Sequence, residues 1–382
     1  CFIMPHKFIN ANYGRSLKGF IGAGKLLEKI VHFGSSQIFE DATTYTGLFF
    51  LSKKENKTVS YLETEDLEEF KNDRFLRFQE STASLLTADQ WVFLEPQAAS
   101  LLKKLQSFDN TLESKTERIF QGIKTSADKI FIVEQLNDIG DLVEIYCKEN
   151  EKKYFIEKEI LKPLIKGGNS RPYQISDTDL LLLFPYKDGE LLTPEFLEAE
   201  TPKTWDYLNE HKLYLEGREK NKMVGDKWYG YVYPKALTVI NSAKIFTPDI
   251  APSPRFSYDS KGEFAFTGGA AGGYGILPKN DEDFKFLLAV LNSTVIAWYI
   301  SKTSTQMRGG WLSFESRFIR SIPIPVGHSE IKKEIDMLVS EILKDTQENP
   351  TIDITANKAE IDRLVYELYG LTKEEIQIVE NG

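Results

Sequence analysis

The spacing of apolar positions changes several times along this 382-residue chain, and each change predicts a different kind of element. Near the N-terminus, the apolar runs CFIMP and TYTGLFFLS have the length of strands, while residues 17–30 between them have helical spacing. KIVHFG, at residues 29–34, is strand-like as well, so residues 1–54 are predicted to form a strand, a helix and two further strands. Charged residues and helix formers dominate the next segment, so residues 55–115 are predicted to be a helical linker.

Residues 116–327 contain shorter apolar runs that are separated by glycines and prolines. A glycine turn precedes a predicted strand at 130–133, a helix is predicted at 194–219, and strands with proline-marked bends follow. This mixture predicts an irregular, twisted sheet. The aromatic run at 228–234 suits the core of such a domain better than a surface that stacks on bases.

Two apolar stripes in residues 328–382 predict two helices. Gly370 is placed to end the second helix, and Thr372 with Glu375 has the spacing of a capping box that starts a short third helix. The predicted fold is an α/β fragment followed by an α+β domain with an irregular twisted sheet and C-terminal helices.

Residues 264–326 contain the clearest candidate chemistry. Small residues occupy 268–275, an apolar helix is predicted to follow, and a polar, basic segment comes next at 302–320. Arginine and glutamine in these flanking segments can pair in bidentate fashion with guanine and adenine edges in a major groove. By composition alone, an ordinary helix between two loops fits the same residues. The planar or cationic side chains expected to be exposed are Tyr274, Gln306, Arg308, Trp311 and Arg317.

The order and spacing of three motifs in this stretch resemble the target-recognition domain of TaqI-type adenine methyltransferases and type IIG restriction–modification enzymes. The motifs are LLAVLNS at 287–293, GGWLSF at 309–314 and IPIP at 322–325. The resemblance implies that residues 116–327 recognise a sequence in double-stranded DNA. FIMPHKFINANYGRSLKGFI, within residues 1–54, resembles the end of the family's catalytic domain, so an upstream catalytic domain of the same polypeptide is the implied partner.

Two further segments, GIKTSADKIF and LKPLIKGGNSRPY, resemble segments of the same family, and the tail EIDRLVYELYGLTKEEI resembles the end of type IIG enzymes. The turns in the first two segments offer cations, a hydroxyl and backbone amides to phosphates. A solvated turn fits residues 122–126 equally well. The predicted DNA-binding residues are Lys124, Thr125, Lys166, Arg171, Tyr274, Gln306, Arg308, Trp311 and Arg317.

The reaction that the resemblance implies is methyl transfer from S-adenosylmethionine to the amino group of a flipped adenine. Residues 20–24, FIGAG, match a Phe-x-Gly-x-Gly cofactor pattern, but polar residues precede them instead of the apolar strand that such a loop must follow. The sequence also lacks the catalytic Asn/Asp-Pro-Pro-Tyr/Phe tetrapeptide. We therefore expect this chain to hold no catalytic or cofactor-binding residue and to be inactive alone. The S-adenosylmethionine site is expected upstream, and Mg²⁺ only where a nuclease domain lies upstream too.

The net charge of −10 argues at first against a nucleic-acid partner, but the charge is unevenly distributed. The net charge is +4 in residues 1–60, −8 in 61–159, +1 in 160–327 and −7 in 328–382. Binding to DNA depends on the local field, so a basic groove on the near-neutral middle region is compatible with these counts.

Two other classes of protein remain open. A type I restriction specificity subunit, which binds DNA without a catalytic domain, shares part of the motif pattern, and the acidic net charge favours a scaffold that binds no DNA.

Cys1, Cys147 and the four histidines give no disulfide framework or metal-ligand spacing. No apolar run approaches the roughly 18 residues that span a bilayer. We expect a cytoplasmic protein without a metal or membrane partner.

Overall fold

The structure is a computed structural model that describes residues 1–9, 11–34, 36–39, 44–64, 66–72, 76–327 and 329–382. Within these ranges it contains three sheets of four or more strands and a C-terminal group of helices. This architecture confirms the predicted fold class, an α/β fragment followed by an α+β domain with C-terminal helices.

The N-terminal region consists of β1 (Phe2–Pro5), α1 (Arg15–Ala23), β2 (Leu27–His32), β3 (Thr46–Leu51), β4 (Thr58–Glu63), α2 (Leu67–Asn72) and β5 (Gln79–Thr82). The strands form one sheet in the order β1-β3-β2-β4-β5, in which β2 and β4 run parallel and the other pairs antiparallel. Ile30 and Phe49 from this sheet share a buried core with Ile21 of α1.

Residues 55–115 are not the helical linker that their composition predicts. β4 and β5 lie within this interval and extend the first sheet, and α3 (Pro96–Gln106) and α4 (Leu112–Lys115) form only afterwards. β4 buries Val59 and pairs with β2, and this tertiary pairing outweighs the charge-rich composition around the strand. The boundaries of the predicted domains stay a prediction.

The middle of the chain contains, in order, β6 (Thr116–Gln121), α5 (Asp128–Phe131), β7 (Ile132–Ile139), β8 (Leu142–Cys147), β9 (Lys152–Glu157), β10 (Leu161–Ile165), β11 (Ser170–Arg171), β12 (Gln174–Ile175), β13 (Leu180–Leu183), β14 (Tyr186–Lys187), β15 (Glu190–Leu191), α6 (Pro194–Glu200), α7 (Pro202–Glu210), α8 (Lys212–Glu216), α9 (Arg218–Asn221), β16 (Lys244–Pro248), β17 (Ile250–Ala251), β18 (Ser257–Asp259), β19 (Ala265–Phe266), β20 (Gly273–Pro278), α10 (Phe284–Leu291), α11 (Thr294–Thr303), β21 (Leu312–Ser313) and α12 (Ser316–Ile319). Six strands form a sheet in the order β19-β10-β13-β7-β8-β9, and four form another in the order β18-β16-β20-β6.

Two predicted elements of this region are divided differently in the structure. The predicted strand at 130–133 begins as the helical turn α5 and continues as β7. The predicted helix at 194–219 is broken where Thr201 meets Pro202, because a proline ring cannot continue the hydrogen bonding of the preceding helix.

The six-stranded sheet packs on α6, α7 and α8 through a core of aliphatic and aromatic side chains. Trp228, Tyr229 and Tyr231 are all buried in it, which confirms that most of the aromatic run at 228–234 belongs to the interior. The Tyr231 hydroxyl donates to the carbonyl of Leu183 at 2.6 Å, so this ring ties the irregular segment after α9 to β13.

The LLAVLNS motif has a structural role. Every residue of α10 except Lys285 is buried, as expected for a helix that is apolar on all sides. The Asn292 side chain then accepts from the Phe256 amide at 3.0 Å and donates to the Phe256 carbonyl at 2.8 Å. Ser293 caps α11 by accepting from the Ile296 amide. The motif therefore turns the chain between two core helices.

The C-terminal helices are α13 (Ser329–Glu348), α14 (Thr355–Leu368) and α15 (Lys373–Asn381), and they share a core with α10 and α11. Gly370 adopts a left-handed φ of 59° after α14, and Thr372 forms the capping box of α15, as predicted. In the described part of the chain no single helix is long and apolar enough to cross a membrane; α10 and α11 reach the required length only as a pair bent by 61°.

Candidate nucleic-acid interface

Residues 267–273, between β19 and β20, form a loop against which two of the predicted phosphate-binding turns are packed. We call it the glycine loop. The Gly268 amide donates to the Ile123 carbonyl at 3.2 Å, and the Gly167 amide donates to the Ala271 carbonyl at 3.1 Å. One backbone network therefore brings together the turn that carries Lys124 and the turn that carries Lys166, although more than forty residues separate the two turns in sequence.

A third segment joins the same network on the other side. The Asp249 amide donates to the Gly272 carbonyl at 3.0 Å, and the Asp249 carbonyl accepts from the Phe314 amide at 2.7 Å. β17 pairs with β21 immediately beyond this point. The glycine loop is thus connected through Asp249 to the polar, basic segment around residues 305–313.

Close backbone contacts explain why small residues are required here. A Cβ atom on Gly272 would lie 1.7 Å from the Thr267 carbonyl oxygen, and one on Gly122 would lie 2.4 Å from the Phe266 carbonyl oxygen. Both distances are far below van der Waals contact, so only glycine permits the loop to fold back on itself and on the 122–126 turn.

Residues 305–313 form a hairpin that we call the RGG hairpin. The Met307 amide donates to the Trp311 carbonyl at 2.6 Å. At the tip, Gly309 and Gly310 have φ angles of 78° and 77°, a left-handed conformation that glycine adopts without steric cost. The sequence thus places two glycines where a tight reversal needs them.

The RGG hairpin presents two of the predicted base-contacting side chains to solvent. Gln306 is exposed, and the Trp311 side chain is 43% exposed, an uncommon state for an indole. The side chain of Arg308 lies outside the described parts of the structure. The hairpin therefore offers a bidentate amide and a planar ring at one protruding edge.

Three predicted phosphate-binding cations are also exposed. Lys124, Lys166 and Arg171 lie at the surface, and none of them forms an ion pair with a carboxylate in the described part of the chain. Lys166 begins the turn against the glycine loop, and its amide donates to the Asn169 side chain at 2.9 Å. Unpaired cations on loops that share one backbone network form a local positive field on a chain of net negative charge.

Three other predicted contact residues are placed differently. The expectation that Tyr274 is exposed is wrong, because its ring is buried in the core, and burial raises the pKa of its hydroxyl. The Thr125 side chain is fully buried, and its hydroxyl donates to Asp128. Arg317 is exposed, but its guanidinium donates to both carboxylate oxygens of Glu315, at 2.9 and 3.2 Å. Any DNA contact by these three residues stays a prediction.

Arg218 is an important residue that the sequence patterns do not indicate. Its side chain is buried, and its guanidinium donates to four backbone carbonyls. The carbonyls are those of Leu215 at 2.7 Å, Thr125 at 3.0 Å, Trp228 at 2.6 Å and Gly230 at 2.9 Å. Arg218 thereby fastens the 122–126 turn to the aromatic segment, and no local sequence signal distinguishes it from the solvated lysines that follow.

Burial lowers the pKa of Arg218 from its usual 12.5 to about 10, which still leaves the guanidinium protonated at neutral pH. No carboxylate forms an ion pair with it among the described residues, so its positive charge is balanced by carbonyl dipoles and by the Phe131 ring, whose centre lies 5.5 Å from the guanidinium carbon. A cation in this position adds to the positive potential above the 122–126 turn.

Asp249 is the second residue that the sequence patterns do not indicate. The side chain is buried between the glycine loop and the RGG hairpin, and its Oδ1 atom has no hydrogen-bond partner in the described structure. Burial, and secondarily the nearby Glu315 carboxylate, raise the pKa of Asp249 above its usual 3.8. The junction of the two loops therefore contains a carboxyl group that disfavours ionisation.

The FIGAG match to a cofactor loop does not fit a cofactor site. Residues 20–23 belong to α1, and a Cβ atom on Gly22 would lie 2.1 Å from the Leu86 carbonyl oxygen. This glycine allows the helix to pack closely on a neighbouring segment. Among the described residues, no group of three or more His, Cys, Asp or Glu side chains is placed to hold a metal ion.

The middle of the chain matches a known family. Residues 162–324 match the family model of the TaqI-like C-terminal specificity domain. The matched residues include the Lys166 turn, the glycine loop and the RGG hairpin, and they lie inside the predicted recognition domain of residues 116–327.

Curated relatives extend the similarity beyond this domain. RM.Eco57I of Escherichia coli, a type II restriction enzyme and methyltransferase, is 26% identical over 387 residues, which cover 96% of this chain and 38% of the relative. The type II methyltransferase M.BstVI of Geobacillus stearothermophilus is 22% identical over 405 residues, which cover 100% of this chain and 65% of the relative. The chain thus spans less than two thirds of the length of either protein.

Among solved structures, the type IIG restriction endonuclease BpuSI is similar at a TM-score of 0.42 and 14% identity, over 96% of this chain and 47% of that chain. The names of the relatives and the matched domain confirm the resemblance that the LLAVLNS, GGWLSF and IPIP motifs indicate.

Proposed function

We propose that this chain recognises a specific sequence in double-stranded DNA and forms part of an S-adenosylmethionine-dependent, adenine-specific DNA methyltransferase of a restriction–modification system. The observation that carries the proposal is the shared backbone network of the glycine loop. It assembles an exposed glutamine and tryptophan on the RGG hairpin with unpaired cations on the Lys124 and Lys166 turns. Base reading needs the first group of side chains and phosphate binding needs the second.

The names of the relatives support the same enzyme class, since they are type II methyltransferases and one combined restriction enzyme and methyltransferase. Adenine specificity rests on the motif resemblance. The described residues offer no fitting site for S-adenosylmethionine at the FIGAG match, so methyl transfer is assigned to the larger protein and not to groups in this chain. Here the residues bind and orient DNA.

Substitutions on the RGG hairpin and on the Lys166 turn test the proposal, because base readers and phosphate contacts respond differently. A duplex selected from a randomised library with the unaltered chain serves as the preferred target, and a scrambled duplex serves as the reference. Arg308→Ala or Gln306→Ala should cost about 1–3 kcal/mol on the selected duplex and little on the scrambled one. Lys166→Ala should weaken both complexes alike.

Arg320→Ala is the matched control for Arg308→Ala. Arg320 is exposed on the segment that follows the RGG hairpin, but it is paired with Glu113 at 3.3 Å. Its replacement should leave the ratio of the two affinities unchanged. If the ratio is also unchanged for Arg308→Ala and Gln306→Ala, the hairpin does not read bases and the proposed role of this edge is wrong.

A further inference from the structure

Lys222 and Tyr233, which lie outside the predicted DNA contacts, form an unusual arrangement with Lys124. The Lys124 ammonium lies 4.8 Å from the centre of the Tyr233 ring, and the Lys222 ammonium lies 4.9 Å from the same centre. Lys124 and Tyr233 also face each other in an antiparallel bridge. Two cations on one aromatic ring repel each other, and the ring quadrupole offsets only part of that repulsion.

No carboxylate neutralises this pair of lysines. Neither ammonium forms an ion pair in the described part of the chain, whereas Lys212, which lies 5.1 Å from the Trp228 ring, also pairs with Glu216 at 4.0 Å. The two lysine–aromatic contacts lie close together in sequence, so they differ mainly in whether a carboxylate neutralises the lysine. Of these two arrangements, the one at Tyr233 has positive charge available for an anion.

The surroundings increase this positive charge. Residues 218–236 contain five basic and two acidic residues, a net charge of +3 in a chain of net charge −10. The acidic residues are Glu219 and Asp226. The buried Arg218 guanidinium donates to the carbonyl of Thr125, the residue next to Lys124, so a further cation lies beneath the same turn.

The backbone before Lys222 is held in a strained conformation. Glu219, Lys220 and Asn221 have φ angles of 49°, 62° and 63°, a left-handed region that side chains other than glycine rarely adopt. Residues in this region persist only where the surrounding structure imposes the conformation. The turn reverses the chain so that Lys222 returns to the Tyr233 ring.

We infer that Lys124, Tyr233 and Lys222 form a binding site for the DNA backbone, beside the base-reading hairpin, in which each ammonium group contacts one phosphodiester. This inference rests on the proposed function, because it takes the DNA to lie along the edge formed by the glycine loop. Lys124 belongs to the turn that bonds to this loop, so the site continues the same surface. Two ammonium groups can donate to the phosphate oxygens, and neutralising them releases counterions from the DNA.

The salt dependence of DNA binding by the full chain tests the inference. Lys222→Gln should reduce the slope of log affinity against log salt concentration by about 0.9, and Lys124→Gln with Lys222→Gln by about twice that amount. Between low and moderate salt, a fourfold rise in concentration, the unaltered chain should therefore lose about threefold more affinity than Lys222→Gln. The loss of affinity should be equal on the selected and scrambled duplexes.

Lys212→Gln is the matched control, since it removes a lysine that also lies over an aromatic ring but is paired with a carboxylate. It should leave the slope unchanged. An unchanged slope for Lys222→Gln, with thermal unfolding like that of the unaltered chain, would overturn the phosphate site. That result would leave the proposed function intact if the selected duplex is still preferred, because sequence preference and salt slope are separate measurements.

Discussion

Cations on the two sides of residues 116–327 differ in their partners. On the sheet side, four lysines in or directly after α5, β8 and β9 each pair with a carboxylate: Lys129 with Glu149, Lys148 with Glu134, Lys153 with Glu144 and Lys158 with Asp138. On the loop side, Lys124, Lys166, Arg171 and Lys222 form no such pair among the described residues. Of the two sets of cations, only the second keeps its positive charge unpaired and available for a ligand.

The comparison explains why the net charge of a region is a poor guide to its ligands. Residues 160–327 have a net charge of +1, a value that neither supports nor excludes DNA. Ion pairing neutralises one surface and leaves another positive, and a ligand responds to the field at the surface it approaches. Exposed ion pairs also contribute little to stability, so the sheet side should tolerate changes that the loop side does not.

The largest loss of stability should come from adding a single methyl group to the glycine loop. Gly272→Ala places a Cβ atom 1.7 Å from the Thr267 carbonyl oxygen, so the loop must open, with a loss of about 3–4 kcal/mol in the free energy of unfolding. Gly168→Ala is the control, because no atom lies within 4 Å of its Cβ position. Urea unfolding of both variants checks this, and equal stabilities would contradict the role of close backbone contact.

A smaller loss is expected when the buried cation of the loop side is removed. Arg218→Met leaves four buried carbonyl oxygens without their donors and should lower the free energy of unfolding by about 2–3 kcal/mol. Lys153→Met removes an exposed ion pair from the sheet side and should cost less than about 1 kcal/mol. If urea unfolding shows that both variants lose a similar amount of free energy of unfolding, the buried cation is no more important for stability than the surface cation.

The smallest effect should be a gain in stability from removing a carboxylate between the two loops. Because burial raises the pKa of Asp249, the folded chain binds this proton at pH values where the unfolded chain has released it. Stability therefore falls as the pH rises from near the usual pKa of 3.8 through the raised pKa of the folded chain.

Asp249→Asn cannot ionise, so it should be more stable than the unaltered chain at neutral pH, with a difference that shrinks towards about pH 4. Measuring the free energy of unfolding at several pH values checks both the sign of the stability difference and the pH range in which it appears. The control, Asp138→Asn on the sheet side, removes the partner of Lys158 and should change stability little at either pH. A less stable Asp249→Asn variant at neutral pH would show that the ionised carboxylate has a favourable partner.

Several features were predictable because their causes are local. The apolar sequence of α10, the stop at Gly370 and the capping box at Thr372 each depend on residues within one or two turns of a helix. The RGG hairpin belongs to the same group, since two consecutive glycines permit its left-handed tip. The order and spacing of LLAVLNS, GGWLSF and IPIP also predicted the family match, because these motifs can be found directly in the sequence.

Other features depended on partners that are distant in sequence. β4 lies in a charge-rich segment and becomes a strand only by pairing with β2 and β5. Tyr274 follows a run of small residues that is typical of an exposed loop, yet it is buried because β20 pairs on both sides, with β16 and β6. The spacing of apolar residues and the local composition cannot distinguish a strand at the edge of a sheet from one at its centre.

The sequence by itself determined the class of fold, the C-terminal helices, the specificity-domain motifs and the identity of the candidate readers, because these follow from local spacing and from residue type. The tertiary structure alone decided which cations are free. Whether Lys222 pairs with a carboxylate, stacks beside Lys124 on Tyr233 or points into solvent depends on side chains that the fold brings together from separate segments. Electrostatic interactions act through space and not along the chain, so only the folded arrangement defines the surface that a phosphate backbone meets.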